Sequence, residues 1–160
     1  MRIIGNTHVK RALEIAEKGH HSILIIGNPT DILKDDHSLP ANVRFSQLCP
    51  CGNFNDPRLS CCCSLETVKV YQSTFSSSEI VIELVRPTFN ELVYEEIIPE
   101  LIDDASKRLL ETAYNKLSLN VQDIVHVLAV AHTIMTMDNE LNLKAYHIAE
   151  AVQYKVLIKK

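Results

Sequence analysis

Hydrophobic and polar positions alternate between helix-like and strand-like patterns in the N-terminal part of the chain. Apolar residues between Thr7 and Lys18 recur at the spacing of an amphipathic helix, with Thr7 as the expected N-cap. The unbroken apolar run at 23–26 is typical of a strand that is buried on both faces of a parallel sheet. After it, the polar stretch 30–40 should be an exposed connection. Helix followed by buried strand predicts an α/β layer, and two more strand-like runs follow at 42–48 and 79–85.

The C-terminal part carries helical patterns throughout. Thr88 and Glu91 form a capping-box pattern ahead of a short helix that Pro99 interrupts. The expected N-cap of the last helix is Asn142. Three longer amphipathic stretches are predicted, at 101–117, 121–137 and 143–158. The chain should therefore divide into an α/β domain at 1–87 and an all-α helical bundle at 88–160.

Composition narrows the class of protein without identifying it. A chain of 160 residues has the length of one ordinary domain, or of a small domain with a helical appendage. Its net charge of −4 gives no global electrostatic case for a nucleic-acid or acidic-membrane partner. No apolar run approaches the roughly 18 residues that span a bilayer, and no leader pattern precedes the first helix. We therefore expect a cytoplasmic protein with no membrane partner.

All five cysteines lie in one stretch, at 49–63. Two Cys-x-Cys pairs flank a turn-rich loop, which brings four thiols together at little ordering cost. Four thiolates on short spacers are the pattern of a structural zinc site. In a reducing compartment, clustered cysteines are more often metal ligands than disulfides. Free thiols and a disulfide pair are the alternative interpretations of this stretch.

Nothing in the sequence indicates nucleophilic or His-based catalysis. No serine or cysteine lies in a glycine elbow with a nearby histidine and aspartate. His126 and His132 miss the three- or four-residue spacing at which two helical side chains can share a ligand. The adjacent His20 and His21 fit a polar entry into the strand at 23–26.

Together, these stretches resemble the magnesium chelatase subunit I-like AAA+ ATPases, most closely their competence-associated branch. The opening helix and strand are similar to the start of that family, and the cysteine motif is similar to the one that marks the branch. The last helices resemble the family's lid domain. The residues that carry the resemblance lie at 10–16, 19–20, 23–27 with Pro29, 49–52, 56–57, 61–63 and 117–154.

The resemblance implies a shortened AAA+ core. The AAA+ sheet has strand order 5-1-4-3-2, and the segment before Cys49 is too short for two of these strands. A three-stranded parallel sheet of order 5-1-4 would remain, with 23–26 between 43–48 and 79–85. The 43–48 strand would form the new edge, where Arg44 and Ser46 should discourage pairing with another sheet. The expected fold is α/β plus all-α, with the helices at 88–160 as the lid.

The resemblance also assigns a metal site. Carried over by position, the ligands are Cys49, Cys51, Cys61 and Cys63, and Cys62 is not a ligand. Four soft thiolates select zinc over magnesium or calcium, with an iron–sulfur cluster as the less favoured occupant.

The positions that handle nucleotide in the family carry other residues here. Asp31 places a negative charge where a phosphate would lie, and the acidic motif has no counterpart. The arginine expected after the strand at 79–85 is missing, and Arg86 should be a solvated charge. The phosphate-loop positions for Gly, Gly, Lys and Ser/Thr carry Thr30, Ile32, Leu33 and Lys34, and the two lid arginine positions carry Ala129 and His132.

We therefore expect a non-catalytic relative of this ATPase family that acts as a binding or regulatory module, with no functional ATP site. The resemblance implies DNA or a full-length AAA+ subunit as its partner. Two alternatives stay open. One is residual ATP binding or hydrolysis, with Lys34 approaching phosphate; the other is a structural remnant without a present role.

Overall fold

The computed structural model describes residues 1–33, 40–54, 60–73, 75, 78–100 and 102–156. The chain forms two compact units, Met1–Pro87 and Thr88–Lys160. The first unit contains β1 (Arg2–Ile3), α1 (Thr7–Gly19), β2 (Ile23–Ile26), a 3-10 turn (Pro29–Asp31), β3 (Ile32–Leu33), β4 (Val43–Ser46), α2 (Leu65–Ser73) and β5 (Ile80–Glu83). The second contains α3 (Phe89–Tyr94), α4 (Asp104–Lys116), α5 (Val121–Met137) and α6 (Ala145–Val156).

A three-stranded parallel sheet of order β4-β2-β5 forms the centre of the first unit. In register, Ile23 lies beside Val43 and Ile80. The prediction of a small parallel sheet with 23–26 in the middle is confirmed, although both outer strands are shorter than predicted. Ile23 and Ile25 are fully buried and pack in one core with Val9 and Ala16 of α1, so the apolar run of β2 reflects burial between α1 and its neighbouring strands.

The stretch after β2 is not the exposed connection that its polarity predicted. β1 and β3 pair antiparallel, with Ile3 beside Ile32. Asp31 and Ile32 are buried, at 4% and 2% exposure. Strands of two residues are too short to show an alternating pattern, which is why the sequence did not indicate this ribbon. The part of the predicted connection at 34–39 lies outside the described residues.

Helix α1 begins one residue earlier than predicted, because Asn6 rather than Thr7 is its N-cap. Asn6 has a left-handed backbone (φ 44°) and makes no side-chain cap bond to the helix. Its amide instead pairs with the backbone of Val85: Nδ2 donates to the Val85 carbonyl at 2.7 Å, and Oδ1 accepts from the Val85 N–H at 2.9 Å. Helix patterns alone cannot identify an N-cap residue whose side chain hydrogen-bonds a distant backbone segment instead of its own helix.

In the second unit, the predicted α5 is confirmed from its first to its last residue. Asn120 and Asp123 form a reciprocal capping box at its start, and the predicted box of Thr88 and Glu91 precedes α3. Helix α6 starts at Ala145, so the prediction of Asn142 as its cap is wrong. The fully buried His147 explains the later start, because its Nδ1 accepts the Lys144 N–H at 3.0 Å. None of the described helices combines the length and the hydrophobicity that a membrane span requires.

Glu79 links β2 to β5 at the amino end of the sheet. Its Oε2 accepts the Ser22 N–H at 2.9 Å, and its Oε1 lies 3.1 Å from His21 Nδ1. The Ser22 backbone N–H, followed by the His21 ring, holds the pKa of Glu79 below its usual value. These bonds favour the ionised carboxylate.

We expect the stabilisation from Glu79 to depend on pH. It should be complete above the unfolded pKa of about 4.3, and it should disappear as the pH falls through the lower folded pKa. Melting temperatures of the wild type and Glu79→Gln, measured from neutral pH into the acid range, check this. The gap between them should close at low pH, and a gap that stays constant would contradict the assignment.

Candidate metal centre

The cysteine stretch follows β4 and forms a tight turn before α2. The Gly52 N–H donates to the Cys49 carbonyl at 3.0 Å, and Gly52 has φ 78°, a left-handed conformation that favours glycine. At the far end, Ser64 caps α2 by accepting the Thr67 N–H at 3.1 Å. The strand and the helix thus fix both ends of the stretch. The Asp-Pro pair at 56–57 lies outside the described residues.

The four sulfur atoms of Cys49, Cys51, Cys61 and Cys63 all lie within 4.8 Å of one another. The Cys49 and Cys51 sulfurs are 3.3 Å apart. The Cys61 sulfur lies 3.7 Å from the Cys49 sulfur and 3.6 Å from the Cys51 sulfur. A tetrahedral zinc with Zn–S bonds of about 2.3 Å holds its sulfurs about 3.8 Å apart. A disulfide needs about 2.05 Å. The spacing therefore fits four sulfurs around one metal ion.

Backbone N–H groups point at the sulfur atoms. The Cys63 N–H donates to Cys61 Sγ at 3.4 Å. Hydrogen bonds from the backbone of Asn53, then of Cys62, lower the pKa of Cys51 to about 5. Such N–H···S bonds stabilise thiolate charge, and metal sites use them to orient and tune their ligands.

The pKa of Cys63 moves the other way and is raised to about 12. The Cys51 backbone lowers it, but the Cys51 sulfur, burial, and the sulfurs of Cys49 and Cys61 together raise it. The pKa of Cys61 is also raised, although the Cys63 backbone N–H lowers it. Neighbouring thiolates repel one another, so the four thiols cannot all ionise at neutral pH without a cation among them. A divalent cation would remove this repulsion.

Cys62 stands outside the group of four and is exposed, whereas Cys49 is fully buried. The structure thus brings together the four predicted cysteines and leaves Cys62 apart. The four could hold a metal such as zinc.

A cavity of about 140 Å³ lies beside this stretch, at the carboxyl ends of β2 and β5. Parallel α/β sheets bind their ligands at this end of the strands. Its polar lining comes from Asn28, Asp31, Glu83 and Arg86, and its apolar lining includes Leu48 and Phe54. Arg86 is half-buried in this lining, so the prediction of a solvated charge is wrong.

Comparison with protein families bears on the second unit. Residues 82–155 match the family model of the C-terminal part of magnesium chelatase subunit ChlI. This match supports the resemblance to the magnesium chelatase family. It spans α3 to α5 and most of α6, and it leaves the cysteine stretch outside. No curated protein and no solved structure matched the chain.

The loop after β2 differs from a phosphate-binding loop in its hydrogen bonding. Asn28 Oδ1 accepts both the Thr30 N–H at 3.0 Å and the Thr30 hydroxyl at 2.7 Å, which closes the loop on itself. A Cβ added at Gly27 would lie 2.7 Å from both the Cβ and the carbonyl oxygen of Leu84. Gly27 is therefore explained by the close approach of β5. Lys34 lies outside the described residues.

Two other predicted positions lie in the second unit. Ala129 and His132, which the resemblance aligns with the lid arginines of the family, are both exposed on α5. Neither side chain is a guanidinium that could reach a phosphate. The loop-closing role of Asn28 does not follow from the sequence, in which the Asn-Pro pair indicates only a turn.

Proposed function

We propose that the protein is a nucleotide-independent relative of the magnesium chelatase family, of its competence-associated branch, that acts as a binding or regulatory module. The observation that carries this proposal is the closed loop after β2. In a phosphate-binding loop, free backbone N–H groups face the ligand. Here the Thr30 N–H is already held by Asn28, and the next residue is the buried Asp31.

The size and charge of the neighbouring cavity support the same conclusion. About 140 Å³ is well below the roughly 300–1,000 Å³ of typical ligand pockets. Two of its lining residues, Asp31 and Glu83, are acidic and would repel a triphosphate. Among the described residues, Arg86 supplies the only guanidinium in the lining.

The cysteine stretch has a structural role in this proposal. Cys49, Cys51, Cys61 and Cys63 would hold one zinc ion, which would fix the segment between β4 and α2. In a first unit with only a small sheet, such a site would supply much of the folding free energy. The partner would be DNA or a full-length AAA+ subunit, as in the family that the sequence resembles.

A calorimetric titration with ATP and magnesium tests the proposal. We expect no binding heat up to millimolar ATP, because Asn28 already accepts the Thr30 and Asp31 N–H groups and Asp31 adds a negative charge to the loop. Lys34→Ala provides the matched comparison for the residual-ATPase alternative. Magnesium-dependent binding at micromolar ATP that Lys34→Ala abolishes would replace our proposal with that alternative.

A further inference from the structure

The two edge strands of the parallel sheet, β5 and β4, differ in how their outward-pointing backbone groups are hydrogen-bonded. Along β5, the N–H groups of Ile80 and Leu84 point inward to β2, so the backbone groups of the odd-numbered residues point outward. These outward groups meet side chains near the end of the strand. His8 Nε2 lies 3.0 Å from the Glu83 carbonyl, and the Asn6 amide pairs with both groups of Val85. The β5 edge is thus partly closed by residues around the start of α1.

The β4 edge has no such cover within the described part of the chain. The carbonyls of Asn42 and Ser46 accept the N–H groups of Ile23 and Gly27. The backbone N–H and C=O groups of the even-numbered residues of β4 therefore point to β2. The N–H and C=O of Phe45 therefore point away from the sheet. The Val43 N–H is taken by the Pro40 carbonyl at 2.9 Å. Phe45 is left as the one residue of β4 that offers an outward donor together with an outward acceptor.

We propose that β4 pairs antiparallel with β4 of a second copy of this chain, centred on Phe45. A residue with both groups outward can exchange two N–H···O bonds with its own twofold mate, which is the contact that a symmetric dimer needs. The two sheets would join into one continuous sheet of six strands. The dimer requires neither zinc nor nucleotide, so it stands apart from the proposed function.

The side chains beside Phe45 agree with this register. Centring the pair on Phe45 sets Arg44 of one copy opposite Ser46 of the other, on the same face of the sheet. Arg44 therefore does not meet its own charge across the axis. The expectation that Arg44 and Ser46 discourage sheet pairing therefore applies to a register that sets Arg44 opposite its own mate, and not to this one.

Substitutions at Ser46 test the register directly. Ser46→Arg would set two arginine pairs across the axis and should weaken the dimer about tenfold, because like charges directly opposite destabilise a strand pair. Ser46→Glu would create two arginine–glutamate pairs and should strengthen it several-fold. The double variant Arg44→Glu, Ser46→Arg also sets a glutamate opposite an arginine twice, so it should strengthen the dimer several-fold, as Ser46→Glu does. Sedimentation equilibrium up to millimolar protein measures each constant, and a melt of each variant verifies folding.

Val81→Arg on β5 is the matched control, because Val81 is 56% exposed on the opposite edge strand. It should leave dimerisation unchanged. Hydrogen exchange of the Phe45 amide should slow as the protein concentration rises. A monomer at every concentration with concentration-independent Phe45 exchange would overturn the proposal. So would a dimer that responds to Val81→Arg but to neither Ser46 variant.

Discussion

Cys63→Ser should abolish zinc binding, whereas Cys62→Ser, one residue earlier, should leave one zinc per chain. The two thiols are neighbours in sequence, but only Cys63 lies in the group of four sulfurs, and Cys62 is exposed. A tetrahedral thiolate site that loses one ligand loses most of its affinity. Metal analysis of the purified variants gives the stoichiometry.

The same pair of variants should differ in stability. Structural zinc contributes about 10–16 kcal/mol of binding free energy in small zinc peptides, and that energy is coupled to folding. A loss of even about 2 kcal/mol would lower the melting temperature of a unit of this size by roughly 8–16 °C. Adding a chelator should lower the melting temperature of the wild type and of Cys62→Ser to that of Cys63→Ser. Equal zinc content and equal melting in the two variants would contradict the proposed ligand set.

The sequence predicted those elements that bury a continuous apolar surface. The run at 23–26 is continuously apolar, and the apolar stripe of α5 recurs at helical spacing over 17 residues, so the local hydrophobic pattern indicates both elements. The cysteine spacing likewise indicated a cluster, because a short loop leaves four thiols little room to separate. Setting Cys62 aside required the resemblance to a known family, since spacing alone allows other pairings.

The features that the sequence did not predict depend on contacts between distant residues. Asn6 serves the backbone of Val85, and the ring of His147 accepts an N–H at the start of α6, and neither role follows from helix-capping statistics. The burial of Asp31 similarly depends on the ribbon of β1 and β3, whose strands of two residues carry no period. Local patterns therefore placed the elements, while tertiary contacts determined their ends.

Gly27→Ala should destabilise the first unit by about 1–3 kcal/mol, the usual cost of overpacking a tight interior. The added Cβ would lie 2.7 Å from the Cβ and from the carbonyl oxygen of Leu84. A backbone oxygen cannot rotate away, so β2 and β5 would have to separate where the Leu84 N–H donates to the Ile26 carbonyl at 2.7 Å. Chemical denaturation of the variant gives the free energy of unfolding, and the midpoint should fall with little change in slope.

Gly19→Ala is the matched control, because a Cβ there meets only the ring of His21. The His21 ring can turn aside, and the preference of a helix for alanine over glycine, up to about 1 kcal/mol, offsets the weakened contact between His21 and Glu79. This variant should therefore remain close to wild-type stability. If Gly27→Ala were as mild as Gly19→Ala, packing against β5 would not explain the glycine. A role in approaching a bound phosphate would then become the better explanation, and the closed-loop argument against nucleotide binding would lose its support.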